Sequence, residues 1–160
     1  MLADPYGGNR AFSSTALTGT PIPVDFSTDF TVMYWSKPQS GRSTVAFQWP
    51  NGSLQLLFQS GMITGNWVHF AITGNWTTAG IDPRQPNLTL YSNGSLFTTL
   101  QPWAYLASVK GTFLFGGPDG LSTPLPIFDF QIHQKALSAA TIAAYYADRL
   151  TNGANTVPPV

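Results

Sequence analysis

The acidic residues limit the chemistry that this chain can perform. All seven carboxylate side chains are aspartates, because the sequence contains no glutamate. Hydrolysis of a glycosidic bond needs two carboxyl groups about 5–9.5 Å apart. Asp25 and Asp29 form the closest pair in the sequence, and they lie in a predicted turn before a strand. We therefore predict that the chain is not an enzyme and has no catalytic residues.

The two histidines and the loop aspartates give little support for a metal site. His69 and His133 each lie in a predicted strand, without a cysteine or a further histidine at ligand spacing. We expect each to be a hydrogen-bonded sheet residue. Asp82 and Asp119 each offer a single carboxylate in a loop, whereas calcium needs a cluster of oxygen ligands. We predict no metal site and no cofactor, with bound calcium as the lesser alternative.

Aromatic rings in two long loops are the best candidates for binding a ligand. Flat rings stack on sugar faces, while nearby polar groups bind the hydroxyls. One loop spans residues 74–86 and contains the ring of Trp76, the hydrogen-bond acceptor Asp82 and the guanidinium donor of Arg84. The other loop spans residues 101–105. The predicted ligand- or partner-binding residues are Trp76, Asp82, Arg84, Trp103 and Tyr105. Alternatively, these loops fold back on the domain edge or bury themselves against a neighbouring subunit.

The elements that must position these loops are predicted to be strands. Short apolar stretches recur between clusters of Gly, Pro, Asn and Asp, which is typical of an all-β sandwich or barrel. Residues 30–35, 67–73, 111–115 and 127–134 are predicted strands, the first buried on both faces and the last strictly alternating. We predict a two-sheet antiparallel sandwich as a single domain over residues 1–150, followed by a tail over 151–160.

Two Asn-Gly pairs predict tight hairpins. With a two-residue turn at Asn51-Gly52, one face of the first hairpin would carry Val45, Phe47 and Trp49 together with Leu54, Leu56 and Phe58. A second turn at Asn93-Gly94 would place Tyr91 opposite Leu96 and Thr89 opposite Thr98.

One helix is predicted near the C-terminus. Ser138 is a good N-cap for the segment that follows it, AATIAAYYADRL. Ile142, Tyr145 and Tyr146 share one face at helical spacing, so we expect this face to dock on a sheet.

Composition excludes several function classes. Charged residues make up 9% of the chain and the formal net charge is +0, so the basic surface of a nucleic-acid binder is missing. No apolar run approaches the ~18 residues of a membrane span, so we predict no membrane insertion. Cysteine is absent, so no disulfide framework forms. A net charge near zero favours association between copies.

Five segments, in order, resemble the laminin-G-like branch of the concanavalin A-like lectin/glucanase superfamily. They are residues 30–37, 67–73, 90–96, 113–117 and 129–138. The resemblance implies a jelly-roll sandwich with a short C-terminal helix and a non-catalytic role. Phe128 stands where the family often has a second acid, and Thr141 where the terminal helix usually has Glu. These departures weaken the family's calcium site and leave the fold expectation intact.

Two functions are consistent with these observations. The first is an accessory, decoration-type surface protein of a bacteriophage virion, whose partners are other virion proteins or copies of itself, with binding of surface polysaccharide as an added role. It rests on analogy with a free-standing domain that begins at Met1 with few charges and no visible export signal. The alternative is a soluble carbohydrate-binding module of an exported, extracellular protein.

Overall fold

The computed structural model describes residues 12–13, 22–25, 27–37, 45–48, 54–56, 65–76, 86–100, 110–115 and 126–152. These residues form short strands and one helix, as the all-β pattern with a C-terminal helix predicts. The strands are β1 (Phe12–Ser13), β2 (Ile22–Asp25), β3 (Phe30–Ser36), β4 (Val45–Gln48), β5 (Leu54–Leu56), β6 (Val68–Asn75), β7 (Asn87–Ser92), β8 (Ser95–Leu100), β9 (Lys110–Phe115) and β10 (Pro126–His133), and the helix is α1 (Ala139–Asn152).

The strands belong to two sheets. One has six strands in the order β1-β10-β3-β6-β7-β8, and the other has four in the order β2-β9-β4-β5. The chain also divides into two compact units. The first unit comprises Met1–Phe26, Ser36–Trp67 and Ser108–Phe128, and the second comprises Ser27–Trp35, Val68–Ala107 and Asp129–Val160.

The first unit contains the four-stranded sheet, in which each neighbouring pair is antiparallel. In the pair β4 and β5, Gln48 lies opposite Leu54 and Phe47 lies opposite Gln55. The predicted register, in which Phe47 shares a face with Leu54 and Leu56, is therefore wrong by one residue. Five residues lie between the paired Gln48 and Leu54. A two-residue turn leaves an even number of residues between every pair of opposite residues, so it cannot produce this register. The predicted turn itself, Asn51-Gly52, lies outside the described residues.

The second unit contains the hairpin of β7 and β8, and its turn is as predicted. Asn93 and Gly94 have φ angles of 49° and 76°, the positive values that a type I′ turn requires at both central positions. Tyr91 lies opposite Leu96, as expected. Beyond this pair the register shifts, so that Leu90 lies opposite Thr98 and Thr89 opposite Thr99. The predicted pairing of Thr89 with Thr98 is wrong because β8 has one extra residue, Phe97, in a β-bulge.

Alternation along the strands gives the six-stranded sheet, most of which belongs to the second unit, one strongly apolar face. All seven residues of β3 are buried, which confirms the expectation from its nearly continuous apolar sequence. On the apolar face, the Tyr34 ring lies 5.5 Å from the Phe70 ring and 6.3 Å from the Phe130 ring, between centroids. Gly74 also lies on this face, and a Cβ there would come within 2.2 Å of the Phe30 ring. Glycine is required at this position because the phenyl ring fills the space.

The opposite face of the sheet, here called the helix face, carries α1. Ser138 caps the helix as predicted, since its Oγ accepts a hydrogen bond of 3.1 Å from the Thr141 amide. Ile142 and Tyr145 are buried on the side of the helix that packs against Met33 and Ala71. The helix extends to Asn152, two residues into the predicted tail. In the described part of the chain no helix is long and apolar enough to cross a bilayer.

Candidate functional site

A groove of about 530 Å³ lies on the helix face of the second unit, beyond the N-terminus of α1. Its lining comes from β6, β7, β8 and the segment that precedes the helix. The lining residues are Thr73, Asn75, Asn87, Leu88, Thr89, Tyr91, Thr99, Ala136, Leu137 and Ser138. None of these described residues is charged, and seven carry a hydroxyl or a carboxamide. We call the groove lined by these ten residues the polar groove.

The floor of the polar groove is an ordered array of neutral polar side chains. Thr73 lies opposite Thr89, and Thr89 lies opposite Thr99, so that three threonines form a row across three strands. Asn75 lies opposite Asn87 in the next row on the same face. Neighbouring strands are about 4.8 Å apart, so the threonine row extends over roughly 10 Å. Hydroxyl and carboxamide groups both donate and accept hydrogen bonds, which suits a ligand rich in hydroxyl groups.

One wall of the groove is the segment between β10 and α1, and a single buried hydroxyl fixes it. Thr31 Oγ1 donates a hydrogen bond of 2.7 Å to the carbonyl of Lys135. The same oxygen accepts a hydrogen bond of 2.9 Å from the amide of Leu137. Thr31 is fully buried, so these two backbone groups depend on its side chain. Thr31 therefore positions the wall without lining the groove.

The other end of the groove is closed by the apolar contact between the helix and the sheet. Tyr91 is 7% exposed and packs with Met33, Ala71, Ile142 and Tyr145, with Leu137 at the margin of the cluster. Tyr91 is therefore a mostly buried boundary of the groove, and the hydroxyls and amides supply most of its accessible chemistry.

A polar network anchors the middle of the helix to β10. The Tyr145 hydroxyl donates a hydrogen bond of 2.6 Å to Asp129 Oδ2, and Arg149 Nε lies 3.1 Å from the same oxygen. Gln131 donates to the other carboxylate oxygen at 2.8 Å, and its carbonyl lies 3.2 Å from His133 Nε2. Burial, and to a smaller extent the hydrogen bond to Asp129, raise the pKa of Tyr145 above its usual value. The network therefore joins helix and strand, and the hydrogen bonds of Asp129, Gln131 and His133 confirm the predicted alternation of β10.

Asp129 adopts an unusual backbone conformation within this network. Its φ angle is 52°, in the left-handed region that aspartate enters more readily than most residues. Burial of the paired Arg149 and Tyr145 side chains holds this conformation in place.

His69 differs from the expectation that its ring is hydrogen bonded. The backbone amide of His69 donates a hydrogen bond of 3.0 Å to Asn93 Oδ1, and the carbonyl of His69 accepts one of 2.9 Å from the backbone amide of Asn93. Neither ring nitrogen has a hydrogen-bond partner among the described residues. The ring instead lies 5.3 Å from Trp35, 5.6 Å from Tyr145 and 5.9 Å from Tyr146, between centroids. Burial lowers the pKa of His69 to about 4, so the imidazole is neutral at pH 7.

The structure describes only one of the five predicted binding residues. Trp76 directly follows β6 and is partly exposed, and its amide donates a hydrogen bond of 2.7 Å to Asp29 Oδ1. The Asp29 carboxylate therefore fixes the backbone at the start of the predicted loop. The other four residues, Asp82, Arg84, Trp103 and Tyr105, lie outside the described residues.

Carboxylates and metal ligands show no clustering in the part of the chain that is described. Asp29 bonds to the Trp76 amide, Asp129 belongs to the helix network, and Asp148 accepts from Asn152 at 2.8 Å. Among the described residues no group of three or more His, Cys, Asp or Glu side chains is placed to hold a metal ion.

Sequence reasoning missed the polar groove because it concentrated on aromatic loops. The sequence does contain a pattern that indicates a polar face: polar residues occupy alternate positions in Thr73-Gly74-Asn75 of one strand and in Asn87-Leu88-Thr89 of the next. Thr99 could not be found in this way, since its position depends on the bulge in β8.

Solved structures with a similar fold include receptor binding domains of botulinum neurotoxins. The receptor binding domain of botulinum neurotoxin D matches with a TM-score of 0.56 and 19% identity over 83% of this chain and 42% of that chain. The receptor binding domain of the C/D mosaic serotype matches with a TM-score of 0.55 and 18% identity over 78% and 37%. A type C neurotoxin, whose cell entry depends upon interaction with two ganglioside molecules, matches at 0.51 and 16% over 76% and 36%.

At these identities the likeness shows a shared fold, and this chain spans about two fifths of the length of the chains that it matches. No protein-family model matches the sequence, and no curated protein matches it either.

Proposed function

We propose that this chain is a non-enzymatic recognition module that binds carbohydrate in the polar groove. The observation that carries the proposal is the array of hydroxyl and carboxamide groups on the groove floor, without a charged side chain among the described lining residues. A saccharide presents many closely spaced hydroxyls, each able to donate and accept, and this array offers matching partners. The fold shared with receptor binding domains supports a binding role over a catalytic one.

Direct binding of the purified chain tests this proposal. A glycan array should identify at least one ligand, whose affinity is then measured by isothermal titration calorimetry. Thr89 lies in the middle of the threonine row, and Thr89→Val keeps the side-chain shape but removes the hydroxyl. We expect binding to weaken by about tenfold in this variant, as for the loss of one or two hydrogen bonds. A folded protein that binds no glycan on the array contradicts the proposal.

A second candidate function is that of an accessory surface protein of a bacteriophage virion. Two observations favour association: the formal net charge of +0, and the exposure of Leu96 (63%) and Phe97 (40%) on β8, which ends its sheet. Replacing both residues by serine should reduce association in size-exclusion chromatography with light scattering. Leu150→Ser is the matched control, because Leu150 is 55% exposed on the helix. A wild-type chain that stays monomeric at high concentration contradicts this function.

The remaining sequence expectations belong to the same proposals. The sandwich of concanavalin A-like, laminin-G type is one, and an experimental structure of the complete chain tests it. A virion location, with an extracellular location as the alternative, is another. The proposals also keep the expectation of no cofactor, with bound calcium as the lesser alternative. The loop residues proposed to contact a ligand or partner remain Trp76, Asp82, Arg84, Trp103 and Tyr105.

A further inference from the structure

The chemistry of the polar groove also restricts the class of carbohydrate that it can bind. We infer that its ligand is an uncharged saccharide, and that the groove discriminates against sugars that carry a carboxylate, such as sialic or uronic acids. This inference rests on the proposed function, and it adds a specificity that the likeness to known structures does not supply.

The composition of the lining limits the charge that a ligand can carry. A carboxylate that leaves water needs a cation or several directed donors, because an unpaired buried charge is far costlier than an unpaired hydroxyl. Among the residues that the structure describes, the ten that line the groove include no lysine, arginine or histidine.

Lys135 and Arg149 are the lysine and the arginine that the structure describes in this unit. Lys135 directly precedes the wall, but its side chain is exposed and does not line the groove. Arg149 is buried, and it forms an ion pair of 3.1 Å with Asp129 and a hydrogen bond of 3.0 Å with Tyr145. Neither side chain is placed to neutralise an acidic sugar in the groove.

The orientation of the floor suits an extended saccharide. The threonine row runs across the strands, and the two asparagines form a parallel row beside it. An extended saccharide that lies along the threonine row would meet a hydroxyl at each strand, about every 4.8 Å. The side of the saccharide that faces the asparagine row would meet carboxamides, which again donate and accept without charge.

The test compares one oligosaccharide in an uncharged and a carboxylate form. An array that contains cellotetraose, maltotetraose, lacto-N-neotetraose, sialyllactose and tetragalacturonate first identifies the strongest binder. If that binder is neutral, its primary hydroxyls are oxidised to carboxylates, and both forms are titrated at low and high salt. We expect the oxidised form to bind at least about thirtyfold more weakly. Thr89→Val and Thr99→Val should weaken binding of the neutral form, and Thr98→Val on the opposite face should not.

The possible results separate this inference from the proposed function. If an acidic glycan binds as well as or better than its neutral counterpart, the inference is wrong and the binding function stands. If neutral binding persists unchanged in both groove variants, the ligand lies elsewhere and the inference is wrong as well. If the folded protein binds no glycan, the proposed function fails and the inference fails with it.

Discussion

Thr89 on β7 lies opposite Thr99 on β8, and not opposite Thr98, because the bulge at Phe97 inserts one extra residue into β8. The insertion places Thr99 on the helix face, where it completes the threonine row, and Thr98 opposite Leu90 on the apolar face. Two adjacent residues of the same type therefore have different environments, which gives an internally matched pair for mutagenesis.

We predict that Thr99→Val weakens glycan binding by about fivefold to tenfold, the effect of about one lost hydrogen bond. Thr98→Val should leave the affinity within about twofold, because Thr98 does not line the groove. Calorimetric titration of both variants with the same oligosaccharide measures the difference. Equal losses in the two variants would show that the groove does not contact the ligand.

Thr31→Val should destabilise the protein by about 1–3 kcal/mol, because two partly buried backbone groups lose their partner while the side-chain volume is almost unchanged. The groups are the Lys135 carbonyl and the Leu137 amide. Urea unfolding of the variant and the wild type gives the difference. Thr28→Val is the control, since Thr28 is exposed and its hydrogen bond to Gln134 is 3.5 Å long; it should change stability by less than about 0.5 kcal/mol.

The free energy of unfolding should fall as the pH is lowered from about 6.5 to about 4. Burial lowers the pKa of His69 to about 4 in the folded protein, whereas the unfolded chain has the usual value near 6.5. Between these values only the unfolded chain takes up the proton, so acid favours unfolding. The full effect at pH 4 is about 3 kcal/mol, and it is absent above about pH 7.

His69→Phe should flatten this part of the pH profile, since phenylalanine keeps the aromatic contacts and does not titrate. The measurement is the unfolding free energy at several pH values between 4 and 8. His133→Gln is the control: burial also lowers the pKa of His133, but its side chain is partly exposed, so the slope should change less. Superimposable profiles for His69→Phe and the wild type would contradict the assignment.

Gly94→Ala should cost more stability than Gly65→Ala. Both glycines have a positive φ, of 76° and 65°, which costs an alanine about 1–2 kcal/mol. A Cβ at Gly94 would also lie 3.0 Å from atoms of Tyr146, whereas one at Gly65 would have nothing within 4 Å. Thermal unfolding of the two variants therefore separates backbone strain from the collision with the helix. If Gly65→Ala is the more destabilising, the contact between hairpin turn and helix is not as described.

The sequence predicted those elements whose cause is local. The positive φ angles of Asn93 and Gly94 follow from their residue types, and Ser138 caps a segment of good helix formers. The continuous burial of β3 follows from its uninterrupted apolar composition. In each case a few consecutive residues determine the result, so that no knowledge of distant contacts is needed.

The parts that the sequence could not predict depend on distant residues. The bulge at Phe97 and the five-residue connection between Gln48 and Leu54 change a register without a local signal. Thr31 contacts a segment 104 residues away, and no periodicity reveals such a contact. His69 looked like an ordinary hydrogen-bonded strand residue, because only the folded chain brings Trp35 and two tyrosines around its ring.

The bulge in β8 has a further consequence for the rim of its sheet. β8 is the last strand in the order of its sheet, and such a strand offers backbone amides and carbonyls to any extended polypeptide that approaches it. A continuous ladder would need evenly spaced groups along β8, and the extra residue at Phe97 interrupts that spacing. The same single insertion that aligns Thr99 with Thr89 therefore also protects this rim against amyloid-like growth by strand addition.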